Sequence, residues 1–308
     1  MIIPEKLKIG DTIGVIAPSS PIIGDNVEEL NQAKKIIENL GFKVKYSKNI
    51  FSNTNNYSAT AKEKADDINE MFADKDIKMI WCAKGGNNSN STFEYINYDN
   101  IKRNPKIICG FSDITSLTNM ITEKTCLVTF SGTNFKTIAT DETDYSLKEA
   151  LKRFVDGSLE LGVQGEEYRT IKQGVEEGQL IGGNLNLTSG MVAGKYSIDF
   201  TGKILFLEEL GFETEPAMAS NFLYYMKQNG VFDKVRGIWL GNYTHESGIK
   251  LEDILLDTIG DEFKGPIIKS ENFGHIDKKT VIPIGTMARI DTNKDVKIEL
   301  LENCLSGD

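Results

Sequence analysis

The chain has 308 residues, 40% hydrophobic and 26% charged, a length that fits two domains and a composition ordinary for a folded globular protein. Its formal net charge of −10 argues against a nucleic-acid backbone or an anionic membrane as the main partner. No apolar run reaches membrane-spanning length and the start, Met1-Ile-Ile-Pro, lacks the charged and apolar regions of a secretory signal, so a cytoplasmic setting is expected. The four cysteines, Cys82, Cys109, Cys126 and Cys304, show no metal-type spacing and read as reduced, buried thiols.

In chain order, Thr12-Ile-Gly-Val-Ile-Ala17 predicts a buried strand, followed by a Pro18–Pro21 loop. From Asp25 an amphipathic helix places Val27, Leu30, Ala33, Ile36, Ile37 and Leu40 on one face and stops at Gly41. Phe42–Tyr46 alternates as a strand, Thr60-Ala-Lys-Glu63 forms a capping box for a helix through about Phe72, and Ile77–Cys82 is a third strand. Lys106–Cys109 is a fourth, Gly110 permits a turn, and helical spacing begins at Asp113 with Ser112 or Asp113 available as N-cap. This alternation predicts an α/β fold whose N-terminal, mostly parallel sheet is flanked by helices, with ligands at the carboxyl ends of the strands.

Residues 1–150 are assigned to this N-terminal domain. A helix (Leu147–Val155) leads into a polar, Gly- and Glu-rich stretch, so 151–178 reads as a linker. Residues 179–308 are expected to form a β-rich α/β domain. There Leu180–Leu187 turns from strand into helix, Lys203–Glu208 is an apolar strand ending in acid, and helices cover Pro216–Asn229 and Leu251–Ile259.

Ser112 falls at a strand-to-helix corner, where a hydroxyl can project from the sheet edge and the Asp113 N–H can meet an oxyanion. The second glycine of G-x-S-x-G is missing, and a plain helix cap is the competing reading. Only two histidines exist: His245 reads as a solvated loop residue, while His275, flanked by Gly274, is either a base or a surface-turn residue. Glu208 and Glu209 close an apolar strand, where a carboxylate needs a partner; which of them meets a histidine stays open. Gly85-Gly86-Asn-Asn-Ser-Asn90 leaves backbone N–H groups unobstructed for an oxyanion, or is a turn. Cys109 lies within a strand with no implied base and reads as a packed thiol.

Together these segments resemble the serine LD-carboxypeptidase family. The resemblance runs nearly end to end, through Ile13-Gly-Val-Ile-Ala-Pro-Ser19, Gly85–Asn90, Asn104-Pro-Lys-Ile-Ile-Cys-Gly-Phe-Ser-Asp-Ile-Thr115, Leu180–Leu185, Ile204–Glu209 and Gly274-His-Ile-Asp277. It implies Ser112 as nucleophile, His275 as general base and then acid, and Glu208 as its orienting acid. Gly86 and Asp113 would donate backbone N–H groups to the oxyanion. Asn87, Ser89 and Asn184, inside matched segments, become substrate-binding candidates. It also implies a homodimer with neither metal nor organic cofactor. The substrate would be a murein tetrapeptide, cleaved in cell-wall recycling, or an aminoacyl- or peptidyl-nucleotide conjugate, as in the microcin-immunity (MccF) branch. The chain departs from that branch in lacking a tryptophan in the linker region, from the family in Phe111, Lys278 and Ser220-Asn221. Two rival readings are a non-catalytic binder of either ligand and a Cys109-dependent amidotransferase-like enzyme.

Overall fold

In the computed structural model, which describes residues 1–162, 165 and 167–307, the chain divides into two compact units. One comprises Met1–Ser158 with Cys304–Asp308, the other Leu159–Asn303.

In the first unit β1 (Thr12–Ile16), β2 (Lys43–Tyr46), β3 (Ile77–Cys82), β4 (Ile107–Gly110) and β5 (Thr129–Ser131) run parallel in the order β5-β4-β3-β1-β2. The central strands are buried along nearly their whole length, which is why β3 and β4 read as continuous apolar runs and not as alternation. The helices are α1 (Asp25–Asn39), α2 (Ala61–Ala73), α3 (Tyr98–Arg103), α4 (Ile114–Thr125), α5 (Thr137–Thr140) and α6 (Tyr145–Phe154). Ile80 and Ile108 of the sheet pack in one core with Ile68 and Phe72 of α2 and Leu117 and Ile121 of α4. The Thr60–Glu63 capping box forms as the sequence predicts, which fixes the start of α2. This arrangement brings the loops after β1, β3 and β4 to one edge of the sheet. One expectation fails here: Cys126 is exposed, because it closes α4 in the left-handed region (φ 58°), whereas Cys82, Cys109 and Cys304 are buried.

The second unit holds β6 (Arg169–Lys172), β7 (Val175–Asn184), α7 (Leu185–Ser189), β8 (Ile204–Glu208), α8 (Pro216–Gln228), α9 (Val231–Lys234) and β9 (Gly237–Leu240). It continues with α10 (Leu251–Ile259), β10 (Ile267–Lys269), β11 (Ile282–Ile284), β12 (Met287–Asp291) and β13 (Ile298–Leu300). Its seven-stranded sheet has the order β13-β12-β7-β8-β9-β10-β6, parallel from β7 to β10 and antiparallel at both margins. Gly182 is required where β7 meets β8, since an added Cβ would lie 2.1 Å from the Phe206 carbonyl oxygen at a φ of +124°.

The stretch 151–178, expected as a linker, is largely structured: it begins in α6 and later contains β6 and the first residues of β7. Residues 163, 164 and 166 of it lie outside the described residues. Its polar character belongs to sheet margins, where Glu177 lies opposite Arg289 in register and accepts a 2.8 Å hydrogen bond from Arg289 Nε. The tail beyond 303 belongs to the first unit, where the Lys6 N–H donates to the Ser306 carbonyl at 2.9 Å.

Candidate active site

In the first unit, a cluster of candidate residues grows from the end of β4. Ser112 has a φ of 67°, in the left-handed region, a conformation that costs a non-glycine residue about 1–3 kcal/mol and is retained where surrounding structure enforces it. The Thr115 N–H donates to the Ser112 carbonyl at 2.9 Å, so the helix starts immediately after the strained residue. Asp113 is the N-cap of α4 but does not cap it with its side chain. Asp113 Oδ2 instead accepts from the Ser19 hydroxyl at 2.6 Å and from the Ser89 N–H at 2.8 Å. Burial pushes the Asp113 carboxyl above the usual carboxylate range, against the pull of those hydrogen bonds and the Lys64 charge.

The glycine loop after β3 lies against the serine. A Cβ added at Gly85 would stand 2.9 Å from Ser112 Cβ and 3.1 Å from its Oγ. At Gly86 the φ is +129°, and a Cβ would fall 1.7 Å from Ser20 Oγ. Only glycine backbone fits beside the hydroxyl, the shape an oxyanion-binding amide requires. The substrate-binding candidates in this loop separate. Asn87 is exposed, while Ser89 is fully buried and its hydroxyl donates to the Asp113 carbonyl at 2.7 Å, which makes it a brace for the loop.

In the second unit β8 delivers Glu208 and Glu209, each only 3% exposed, and they turn to different partners. Glu208 Oε2 lies 2.7 Å from His275 Nδ1. A carboxylate at Nδ1 holds the proton there and directs the neutral imidazole's lone pair to Nε2, the tautomer a general base needs. Burial lowers the His275 pKa, but the hydrogen bond and charge of Glu208, with the charge of Glu209, outweigh burial and the opposing Lys279 and leave it raised. Gly274 (φ +117°) allows the approach, since a Cβ there would lie 3.1 Å from Glu208 Oε2. Glu209 accepts from Asn184 Nδ2 at 2.9 Å, the Asn186 N–H at 2.9 Å and the Leu210 N–H at 2.8 Å; burial raises its pKa, against the hydrogen bonds. Asn184 also caps α7, accepting from the Leu187 N–H at 3.3 Å, so its amide is engaged in holding Glu209 and the chain around it.

His245 lies 2.8 Å from Ser247 Oγ in its own loop through Nδ1 and 3.3 Å from Glu215, before α8, through Nε2; it is half-buried, not fully solvated as the sequence suggested. Cys109 is fully buried and burial pushes its thiol well above the ordinary range, so it has no thiolate to offer as a nucleophile. Among the described residues no three His, Cys, Asp or Glu side chains converge as a metal site would require. Sequence reasoning passed over Ser19 and Lys64. Lys64 carried a signal: with Ile68 and Met71 it forms an i, i+4, i+7 series on the buried face of α2, a charge set in an apolar stripe.

A strained serine beside a glycine loop, and a half-buried histidine with a carboxylate on Nδ1, are the parts of a serine hydrolase. Known proteins agree. Residues 13–132 match the sequence profile of the LD-carboxypeptidase N-terminal domain and residues 177–290 that of the C-terminal domain. The chain belongs to the LD-carboxypeptidase family and is a serine peptidase or amidohydrolase. It is 31% identical over 297 residues to a Bacillus subtilis protein named "Probable murein peptide carboxypeptidase", covering 94% of this chain and 91% of that one. It is 29% identical to the microcin C7 self-immunity protein MccF of Escherichia coli, covering 96% and 95%. A solved structure of MccF in complex with glutamyl sulfamoyl guanosine superposes with a TM-score of 0.89 at 26% identity, over 99% of this chain and 100% of that chain.

Proposed function

We propose that the protein is an L,D-carboxypeptidase that removes the terminal D-alanine from a murein tetrapeptide through an acyl-enzyme formed on Ser112. In this reading Ser112 Oγ attacks the scissile carbonyl carbon while His275 Nε2 takes the hydroxyl proton and Glu208 steadies the imidazolium. The Gly86 and Asp113 N–H groups stabilise the oxyanion of the tetrahedral intermediate. Collapse breaks the C–N bond, and His275 returns its proton to the departing D-alanine amine. Water, deprotonated by the same histidine, then attacks the ester and frees Ser112.

The observation that carries this reading is Ser112 held at φ 67° against the Gly85–Gly86 backbone, an investment in strain that packing alone does not require. Within the family, the murein branch is favoured by the fate of the tryptophans. Trp81 and Trp239 are fully buried, with indole N–H groups donating to the Thr133 carbonyl at 2.7 Å and Ser270 Oγ at 2.8 Å, so neither can stack on a nucleobase. The exposed Asn87 is the candidate for a polar contact to the substrate. The second reading, cleavage of an aminoacyl-nucleotide conjugate, is favoured by the close superposition on MccF. The setting that goes with the first reading is cytoplasmic peptidoglycan recycling by a homodimer. Met218 and Tyr225, seven residues apart on α8 and exposed, offer an apolar strip to a second copy.

The test is hydrolysis followed by mass spectrometry, with a murein L,D-tetrapeptide and an aminoacyl-sulfamoyl adenosine side by side and Ser112→Ala as control. Loss of D-alanine that the variant abolishes is the expected result. Cleavage of the adenosine conjugate alone moves the protein to the second reading. Binding of either compound without turnover makes it a non-catalytic binder and refutes both.

A further inference from the structure

The buried charge nearest the glycine loop is not used by the mechanism above. Lys64, on α2, is 2% exposed, and its ammonium donates to the Asn88 carbonyl at 2.6 Å and more weakly to Asn88 Oδ1 at 3.3 Å. The Ser89 N–H, the other end of that same peptide group, donates to Asp113 Oδ2 at 2.8 Å. One peptide unit is therefore gripped by a cation at its oxygen and by an anion at its hydrogen. The residue preceding it, Asn88, sits at φ 82°, so the grip also holds a strained backbone in place. The same Asp113 oxygen takes the Ser19 hydroxyl at 2.6 Å, and the Ser20 N–H reaches the Gly85 carbonyl at 3.4 Å. Through these bonds the loops after β1, β3 and β4 converge on the carboxylate of the residue that follows Ser112.

We infer that Lys64 and Asp113 form a charge clamp on the Asn88–Ser89 peptide, which positions the Gly85–Gly86 backbone beside Ser112 and so sets the geometry of the oxyanion hole. The inference rests on the hydrolase reading of Ser112. Neutral partners could satisfy a single peptide at far lower desolvation cost than a buried ammonium and a buried carboxylate. What charge adds is stiffness, since a flip of the peptide would turn its oxygen toward Asp113 and its N–H toward Lys64. Asp113 Oδ1, buried and without a hydrogen-bond partner, shows that the carboxylate is aimed at the loop and not maximally satisfied. Both are positioning residues: neither side chain is required to touch the substrate.

Burial lowers the Lys64 pKa to about 8, partly offset by the Asp113 charge. The titratable groups facing it are the Asp113 carboxylate and, across a 5.5 Å cation–π contact, the Tyr57 ring. Lys64 is therefore charged below that value, and the clamp weakens above it.

The experiment is the rate of Ser112 labelling by a fluorophosphonate, which needs no peptide substrate. The serine oxygen forms the P–O bond, fluoride leaves, the serine proton passes to His275, and the phosphonyl oxygen occupies the oxyanion hole. In the wild type the rate is expected to fall about tenfold as pH rises past the Lys64 pKa, while thermal stability does not fall. Lys64→Met should label about 10- to 100-fold more slowly and lose that alkaline limb, and Lys64→Arg should restore much of the rate. Equal labelling of wild type and Lys64→Met overturns the clamp. Should Lys64→Met fail to fold, the wild-type profile decides alone, and a flat alkaline limb overturns it. A wild type that does not label at all removes the hydrolase reading and the clamp with it.

Discussion

Replacing Glu208 by Gln changes one atom's charge and almost no volume, so its effect isolates what the carboxylate does for His275. The bond lost is a 2.7 Å contact between a buried carboxylate and a half-buried imidazole. A hydrogen bond to a charged group contributes about 1.5–3 kcal/mol, or roughly 10- to 200-fold in rate if it acts on the imidazolium of the transition state. The amide adds a second penalty: its NH2 can donate to Nδ1 and move the ring proton to Nε2, where the base must be empty. Together these place the expected loss in kcat at roughly 10³- to 10⁴-fold, the range of carboxylate-to-amide changes in such triads. The pH dependence has a definite sign. On the proposed mechanism His275 serves as a base only when neutral, so kcat/KM should rise with pH through its raised pKa. Without Glu208 burial dominates, the pKa drops, and the acid limb moves to lower pH. Stability follows the same linkage. A raised folded-state pKa stabilises the protein fully below the unfolded value of about 6.5 and loses that contribution as pH rises through the folded value, so the variant's deficit from this pair is larger at about pH 5 than at about pH 8. Steady-state profiles on the murein tetrapeptide give the rates, and proton NMR of the two imidazoles assigns the titration. An acid limb that stays in place, or a titration shift at His245 instead of His275, would refute this account.

Gly86→Ala must push a methyl group into Ser20, 1.7 Å from its Oγ, at a φ that alanine resists; kcat on the tetrapeptide should fall about 10²- to 10³-fold, and the double change with Ser20→Gly should recover only the part due to the clash. Gly182→Ala puts Cβ 2.1 Å from the Phe206 carbonyl at the β7–β8 contact and should cost more than about 3 kcal/mol in urea unfolding; a loss under about 1 kcal/mol would mean the strands separate easily there. Iodoacetamide should modify the exposed Cys126 and spare Cys82 and Cys109, with activity intact; inactivation that tracks a Cys109 adduct would revive the thiol nucleophile.

Ser112 was legible because its neighbourhood changes period: β-branched residues up to Cys109, a glycine, then apolar residues at helical spacing from Ile114. Its positive φ was not, since no glycine or asparagine marks the position. The carboxylates show the same boundary. A strand ending in Glu208-Glu209 predicts that neighbouring side chains leave on opposite faces, yet the sequence does not say which face holds a histidine 67 positions away. The structure gives Glu208 the histidine and Glu209 the Asn184 amide. The expected linker misled for a related reason: Val175-Glu-Glu-Gly and Arg169-Thr-Ile-Lys have the polarity of a loop, but β6 is a sheet-edge strand, and paired side chains such as Glu177 and Arg289 sustain strand structure without an apolar pattern.

The His275 and Lys64 pKa values are shifted in opposite directions, so on the proposed mechanism a single pH profile should report on both. Glu208 and Glu209 raise His275 in the second unit, whereas burial lowers Lys64 in the first, against the pull of Asp113. The rate should therefore rise as His275 becomes neutral and fall as Lys64 loses its charge. His275 is shifted by Glu208, Glu209 and Lys279 and Lys64 by burial and Asp113, sets that share no member, so their perturbations are expected to add. Glu208→Gln is expected to move the acid limb alone and Lys64→Met to remove the alkaline limb alone, while the double variant carries both changes with rates that multiply. If Glu208→Gln displaced the alkaline limb as well, one coupled network would govern both titrations and the separation of base from oxyanion support argued here would fail.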